Sequence, residues 1–428
     1  MKIKIENLGV IRQAEFDVGD LTIICGDNNT GKTYISYALY GFLDYWWKSF
    51  DIVSKVCGEQ KTNQIRNGNQ VAQQCLNLKD ILLLQASHDY VKFAPDIFAA
   101  PREFFAKMTL SANFSNEQLT WETLQTILDA QWEDMRSQSP VNSATDAPSK
   151  AQWDYIVKKS LSAFVPNPFI ITAERSGIMN LWSELDTARE PWSTFGGAAR
   201  EKGESTLPLP IQRNIDFVRA IRNDRFRTPS SLLIDQPDFF DDFQPLFGGA
   251  FEVHDGSHFF VPNGDDTTKL QMPQSSSSVR SLFLLYYYLR YLAQPGDVLM
   301  IDEPELNLHP DKQRLIAQLF ARLVHYGVKV FVTTHSDYLI RELNILIMLG
   351  PRKEEFEKIV ANENYRDDDF LNAEQLHVYT AEPFLTEENK ENGFTLYPAE
   401  IDQERGIEVK TFDRTIFRTN NIMEKLLY

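Results

Sequence analysis

The chain has 428 residues, enough for two or three domains' worth of core, and its hydrophobic share of 43% excludes wholesale disorder. A net charge of −17 argues against broad, sequence-blind nucleic-acid binding, although it leaves room for a local basic groove. No apolar run reaches the roughly 20 residues that a membrane helix needs, and "MKIKIENLGV" carries charges where a signal peptide has its apolar core, so the protein is expected in the cytoplasm with no membrane partner.

The first 25 residues alternate as strands, "KIKIENLG" and "QAEFDV", before the buried run "LTIIC". "CGDNNTGKT" follows, and Gly26, Gly31, Lys32 and Thr33 fit G-x-x-x-x-G-K-[ST]. "TYISYALYGFLDYWW" continues it as a helix. Strand, Gly-rich loop and helix are the context in which backbone N–H groups cradle nucleotide phosphates, with Asn28, Asn29 and Thr30 in the same loop. Lys32 is placed to reach the outer phosphates, and Thr33 to ligate Mg²⁺. The pattern predicts a bound nucleotide with Mg²⁺.

Residues 48–165 read as a helical insertion, with an exposed Ser- and Pro-rich loop at 137–150. The core resumes over 166–177 with the strand "PFIITAER", and a second insertion is expected at 178–246. "GGAFEVHDGSHFFVPNGDD" reads as a hairpin or meander, and a Ser run and helix follow at 275–293. The strand "DVLMID" then leads into Asp302 and Glu303, at the strand end where open α/β sheets bind ligands. Asp302 is expected to hold Mg²⁺ through water, and Glu303 to polarise the attacking water as general base. After a helix over 310–326 comes "VKVFVTTH", which ends on His335, then a helix over 337–349. Strands alternating with helices imply a largely parallel sheet. Residues 350–428 read as a C-terminal α+β segment, with a loop, short strands and a last helix.

Asn28 makes the loop G-x-N-x-x-G-K-[ST], which resembles that of ABC-type ATPases. Their switch histidine, which contacts the γ-phosphate, is matched by His335. Their signature, L-S-G-G-Q or similar at a helix N-terminus, falls at Ser276, Ser277 and Ser278 in "QSSSSVRSLFLL"; here the usual glycine is Ser278 and no acidic residue follows. The ordered set resembles ABC-type ATPases of the RecF/SMC/OLD branch. "DEPELNLHP" with "TTHSDYLIREL" is similar to the AAA-type ATPases of prokaryotic anti-phage systems such as Septu PtuA and PARIS AriA.

That resemblance implies an α/β, ABC-type P-loop ATPase head with a mixed, mostly parallel sheet, an N-terminal antiparallel β layer and helical insertions. The core is expected over 1–47, 166–177 and 247–349. It implies a homo-oligomer, at least a dimer, in which the serines of one copy cap the nucleotide of another. It also implies a sensor or scaffold that controls a separately encoded effector, such as a nuclease, with a phage protein as trigger. The alternative is a RecF/SMC-like repair ATPase that clamps DNA, a partner the net charge does not indicate.

Other signals are weaker. Glu174 or Arg175 in "TAERSG" stands where this branch has its Q-loop residue, or marks an ordinary strand-end turn. Arg213, Arg219, Arg222, Arg225 and Arg227 read as a solvated face or as a contact for a partner or nucleic acid. His254 and His258 lack further ligands for a metal. Asp367, Asp368 and Asp369 read as a solvated loop. Cys25, Cys57 and Cys75 do not sit at zinc spacings and read as reduced structural thiols.

Overall fold

The computed structural model describes residues 1–56, 86–113, 165–182, 207–223, 225–226, 228–265, 267–351, 353–385, 391–409 and 421–426. The 137–150 loop, Cys57, Cys75, Arg227 and large parts of both expected insertions lie outside these residues.

The principal strands are β1 (Lys2–Leu8), β2 (Ile11–Asp17), β3 (Leu21–Cys25), β4 (Thr109–Asn113), β5 (Pro168–Ile171), β6 (Gly249–His254), β7 (Ser257–Pro262), β8 (Leu270–Gln271), β9 (Val298–Asp302), β10 (Lys329–Thr334), β11 (Leu376–Leu385) and β12 (Glu391–Pro398). The principal helices are α1 (Lys32–Val56), α2 (Arg175–Asn180), α3 (Leu209–Arg222), α4 (Ser277–Tyr291), α5 (Pro310–His325) and α6 (Asp337–Leu349). Among the described residues, nine strands form one mixed sheet in the order β4-β1-β2-β12-β11-β3-β10-β9-β5. From β11 to β5 neighbouring strands run parallel, whereas β1 pairs antiparallel with both β2 and β4.

The parallel strands read as near-continuous apolar runs because helices cover both of their faces. Their side chains still divide by the period of two. Ile24, Met300 and Phe331 join Ile35, Leu39 and Phe42 of α1 in one core cluster. Ile23, Ile301, Val330 and Val332 join α4, α5 and α6 in the other. Residues 282–289 of α4 are all buried, as a helix apolar on every side must be.

Register decides function here. Cys25 pairs with Thr334, Thr333 with Asp302, and Ile301 with Ile171. The C-terminal ends of β3, β10, β9 and β5 are therefore level, and the segments that follow them emerge side by side along one edge.

Two parts of the sheet come from stretches read otherwise in the sequence. β4 lies within the stretch expected to be helical, yet it adds a strand beside β1. β11 and β12, expected as short strands of a tail, are seated between β3 and β2 and join the parallel region to the antiparallel one. The Gly-rich stretch forms a three-stranded meander, β6-β7-β8, turning at Asp255 and Gly256 with both φ angles positive. An Asp-Gly pair suits that tight hairpin turn. Among the described residues, no helix is long and apolar enough to cross a membrane.

Candidate nucleotide site

The chain leaves β3 at the buried Cys25 and turns through Gly26–Gly31 into α1. Asn28 and Asn29 stand exposed on the loop, and Asn29 has a positive φ of 64°. Thr30 Oγ1 donates to the Asp27 carbonyl at 2.9 Å and tightens the loop from within. Gly31 has φ 89°, and a Cβ there would lie 2.5 Å from Ile11 Cδ1, so only glycine lets the loop pass under the β1–β2 turn. The loop opens onto the N-terminus of a 25-residue helix, whose free N–H groups and dipole favour an anion.

Lys32 Nζ donates to the carbonyls of Gly26 (2.8 Å) and Asp27 (2.7 Å), which holds the ammonium against the loop. Burial lowers its pKa, opposed by the carboxylates of Glu303 and Asp302. Thr33 Oγ1, one residue on, donates to Asp302 Oδ2 at 2.9 Å. Thr333 Oγ1 donates to the other oxygen, Oδ1. Asp302 is 1% exposed, and burial pushes its pKa up to about 6, despite the two hydroxyl donors that lower it.

The Thr33 hydroxyl and the Asp302 carboxylate are hard oxygen ligands that suit Mg²⁺, which is commonly held by one or two carboxylates together with substrate phosphates. No group of three or more His, Cys, Asp or Glu among the described residues is arranged to hold a metal ion alone. A cation there would be held by Thr33 and Asp302, with phosphate oxygens and water completing its ligands.

Glu303 follows Asp302 with a left-handed backbone, φ 50°, a conformation rare outside glycine and asparagine. Its N–H donates to the Thr333 carbonyl at 3.0 Å. His335 Nδ1 lies 3.7 Å from Glu303 Oε1 and 3.2 Å from Glu305 Oε1. Glu305 is buried, and its Oε1 accepts from Thr334 Oγ1 and from the His335 N–H, each at 2.8 Å. The structure thus brings Lys32 and Thr33 of the first turn of α1 together with Asp302, Glu303 and His335 at the strand ends. Glu305 and Thr333 were not singled out in the sequence. The only signal for Thr333 was a pair of hydroxyls ending an otherwise apolar strand.

Glu174 and Arg175 part ways. Glu174 is exposed, and Tyr37 Oη of α1 donates to its Oε2 at 3.3 Å. Arg175 is 2% exposed and turns away from solvent to bond backbone carbonyls.

The signature serines stand at the start of α4. Ser276 caps the helix, its Oγ accepting from the Val279 N–H at 3.2 Å, while Ser277 is exposed. Ser278 Oγ is buried and has no hydrogen-bond partner among the described residues. Also among those residues, no hydrogen bond joins Ser276–Ser278 to Gly26–Thr33.

Two arginines of α3 pair with acids, Arg213 at 3.5 Å from Asp44 and Arg219 at 3.4 Å from Asp216, while Arg225, beyond the helix, is exposed. His258 is buried against Phe283 and Trp182, and burial lowers its pKa to about 4. His254 is exposed and pairs with Glu252. In the acidic run Asp367 is exposed, in line with a solvated loop, whereas Asp369 departs from that reading: it is 1% exposed and accepts from Arg322 Nε at 2.6 Å.

A phosphate loop level with an Asp–Glu pair and a histidine, on adjacent parallel strand ends, defines a P-loop ATPase. Residues 115–341 match the family described as "AAA domain, putative AbiEii toxin, Type IV TA system". The match spans more than half of the chain, which belongs to that family. Residues 1–165 match the AAA ATPase domain family, so the phosphate loop falls in one match and Asp302, Glu303 and His335 in the other. No curated protein matches the sequence. Among solved structures, the chain is similar to an SMC head bound to the C-terminal winged-helix domain of ScpA, with 11% identity, 94% of this chain and 98% of that chain covered, and a TM-score of 0.38. It is also similar to the SMC head domain from Thermotoga maritima, with 11% identity, coverage of 94% and 98%, and a TM-score of 0.33. Likenesses this distant decide nothing about partners.

Proposed function

We propose that this ATPase is the sensor and scaffold subunit of an anti-phage defence complex, and that it assembles by sandwiching ATP between two copies. In each sandwich, Gly26–Thr33, Asp302, Glu303 and His335 of one copy hold ATP and Mg²⁺. Ser276–Ser278 of the other copy complete the site.

The observation that carries the assembly reading is the separation of these halves. Thr33 is bonded to Asp302, and Thr333 is bonded to both Asp302 and the Glu303 N–H, whereas Ser276 and Ser277 stand exposed on α4 without a bond to the loop. In a two-fold pair each copy gives its serines and receives its partner's. Lys32 neutralises phosphate charge. Mg²⁺, when bound, screens the β- and γ-phosphates, with Thr33 and Asp302 holding it. Glu303 orients the attacking water and accepts its proton, and His335 contacts the γ-phosphate from the neighbouring strand end.

The defence setting is supported by the family description, which names a toxin of a Type IV TA system, and by the resemblance of "DEPELNLHP" to the ATPases of anti-phage systems. On this reading a separately encoded effector, such as a nuclease, is held in check until a phage protein changes the nucleotide state.

The test is the light-scattering mass of Glu303→Gln protein with ATP, with and without short duplex DNA, followed by purification of the native complex. A defined oligomer that ignores DNA, and a second protein that co-purifies, are expected. A dimer that forms only with DNA would replace this reading with a DNA-clamping repair ATPase.

A further inference from the structure

The guanidinium of Arg175 donates to four backbone carbonyls. Nη1 reaches Thr172 at 3.1 Å and Asp302 at 2.8 Å, Nη2 reaches Glu303 at 2.6 Å, and Nε reaches Ser281 at 3.1 Å. These carbonyls belong to three separate parts of the fold: the exit of β5, the exit of β9, and α4.

Burying a cation among neutral carbonyls is costly, and an apolar side chain of similar size would fill the space more cheaply. Burial lowers the Arg175 pKa to about 10, and the carboxylates of Asp302, Glu305, Glu303 and Glu174 offset part of that cost. The strongest contact falls on Glu303, whose left-handed backbone needs external support. On the far side, Ser281 links to the signature serines, because its Oγ donates to the Ser278 carbonyl at 2.8 Å. A continuous path of hydrogen bonds thus runs from Ser278 through Ser281 and Arg175 to Glu303.

We propose that Arg175 is a positioning residue for hydrolysis: it locks the Glu303 backbone in place and ties that lock to the first turn of α4. It is buried among backbone carbonyls and acts through Glu303. The inference rests on the reading of Glu303 as general base.

The test is a double-mutant cycle on the full chain. Arg175→Gln and Arg175→Lys are made alone and with Glu303→Gln. Single-turnover ATP hydrolysis, binding of a fluorescent ATP analogue, and thermal melting are measured for each. Arg175→Gln is expected to hydrolyse ATP about 100-fold more slowly, the scale of a small misplacement of a catalytic group. Its affinity for the analogue is expected to stay within about threefold of the parent's, because the phosphate loop is intact. With Glu303→Gln already present, Arg175→Gln is expected to slow hydrolysis by less than about threefold more, because the residue it positions is gone.

Rates that multiply in the double variant, or analogue binding lost as severely as in Lys32→Ala, would show a general structural role and overturn the proposal. Should Arg175→Gln fail to fold, Arg175→Lys carries the same cycle: it keeps the charge but cannot span all three elements. Normal turnover by Glu303→Gln alone would instead overturn the base assignment, a result visible without touching Arg175.

Discussion

Thr33 Oγ1 and Asp302 Oδ2 meet at 2.9 Å although 269 residues separate them in the chain. One ends the phosphate loop and the other ends β9. β10, seated between β3 and β9, sets their relation, since its Thr334 pairs with Cys25 and its Thr333 with Asp302. The parallel register thus assembles the site before any ligand arrives. Residues proposed to act on one phosphate group are held by strand pairing, the stiffest element available to them.

Lys32→Ala is expected to lose nucleotide binding. The ammonium already sits between the carbonyls of Gly26 and Asp27, so its position is set by the loop. Each lost charge-assisted hydrogen bond to phosphate is worth about 1.5–3 kcal/mol, so affinity is expected to fall by at least about tenfold. Titration of a fluorescent ATP analogue measures this. An unchanged affinity would mean that the phosphates bind elsewhere.

Glu303→Gln separates binding from chemistry. The amide keeps the size and the backbone contacts of Glu303 but cannot accept the proton of the attacking water. Turnover is expected to fall by about 10²–10⁴-fold, the range for loss of a general base, with ATP still bound. The variant should then accumulate in the closed, ATP-held assembly. Phosphate release assays with light scattering check both halves of this expectation, and wild-type turnover would remove Glu303 from the base role.

Most of the site was legible in the sequence because its signals are local. Gly26–Thr33 declare a loop through glycine spacing, and Asp302, Glu303 and His335 each end an apolar run. What was not legible depends on contacts across long stretches of chain. Arg175 looked like one of two candidates for a strand-end role. Its four carbonyl partners, which come from three elements, show that it supports the site from behind. Asp369 looked solvated in an acidic run, yet Arg322 of α5 draws it into the interior, where it is 1% exposed. β12 posed the same difficulty, because its polar "ENGFTLYP" carries little strand signal until β11 and β2 flank it. Tertiary pairing overrides local propensity at such positions.

Ser277→Arg tests the assembly without disturbing the subunit. Ser276 is the wrong choice, since its hydroxyl caps α4 and its loss costs about 1 kcal/mol of helix stability. Ser277 is exposed and has no capping role. An arginine there is expected to leave nucleotide binding by each copy's own loop intact while blocking the ATP-dependent rise in mass. In the Glu303→Gln background the protein should then remain at its nucleotide-free mass with ATP present. An oligomer as large as that of the parent would place the ATP-dependent interface somewhere other than α4.

The raised pKa of Asp302 ties nucleotide binding to pH. The carboxyl titrates at about 6 in the fold against 3.8 for an ordinary aspartate, because burial disfavours its charge. The folded form therefore binds the proton more tightly than the unfolded chain does. Asp302 costs no stability below its unfolded pKa, a growing amount as pH rises towards 6, and its full cost above that. Asp302→Asn is accordingly expected to raise the melting temperature of the nucleotide-free protein near neutral pH, with the gain shrinking towards about pH 4. The same variant should lose Mg²⁺-dependent turnover, because the carboxylate that faces Thr33 is gone. In the wild type, Mg²⁺ and the proton compete for that carboxylate. Affinity for Mg²⁺–ATP is expected to weaken by up to about tenfold per pH unit below 6, with protons released on binding. Calorimetry in two buffers of different ionisation enthalpy reads that release directly. A flat affinity across this range, with no protons released, would mean that Asp302 is already ionised before the cation arrives.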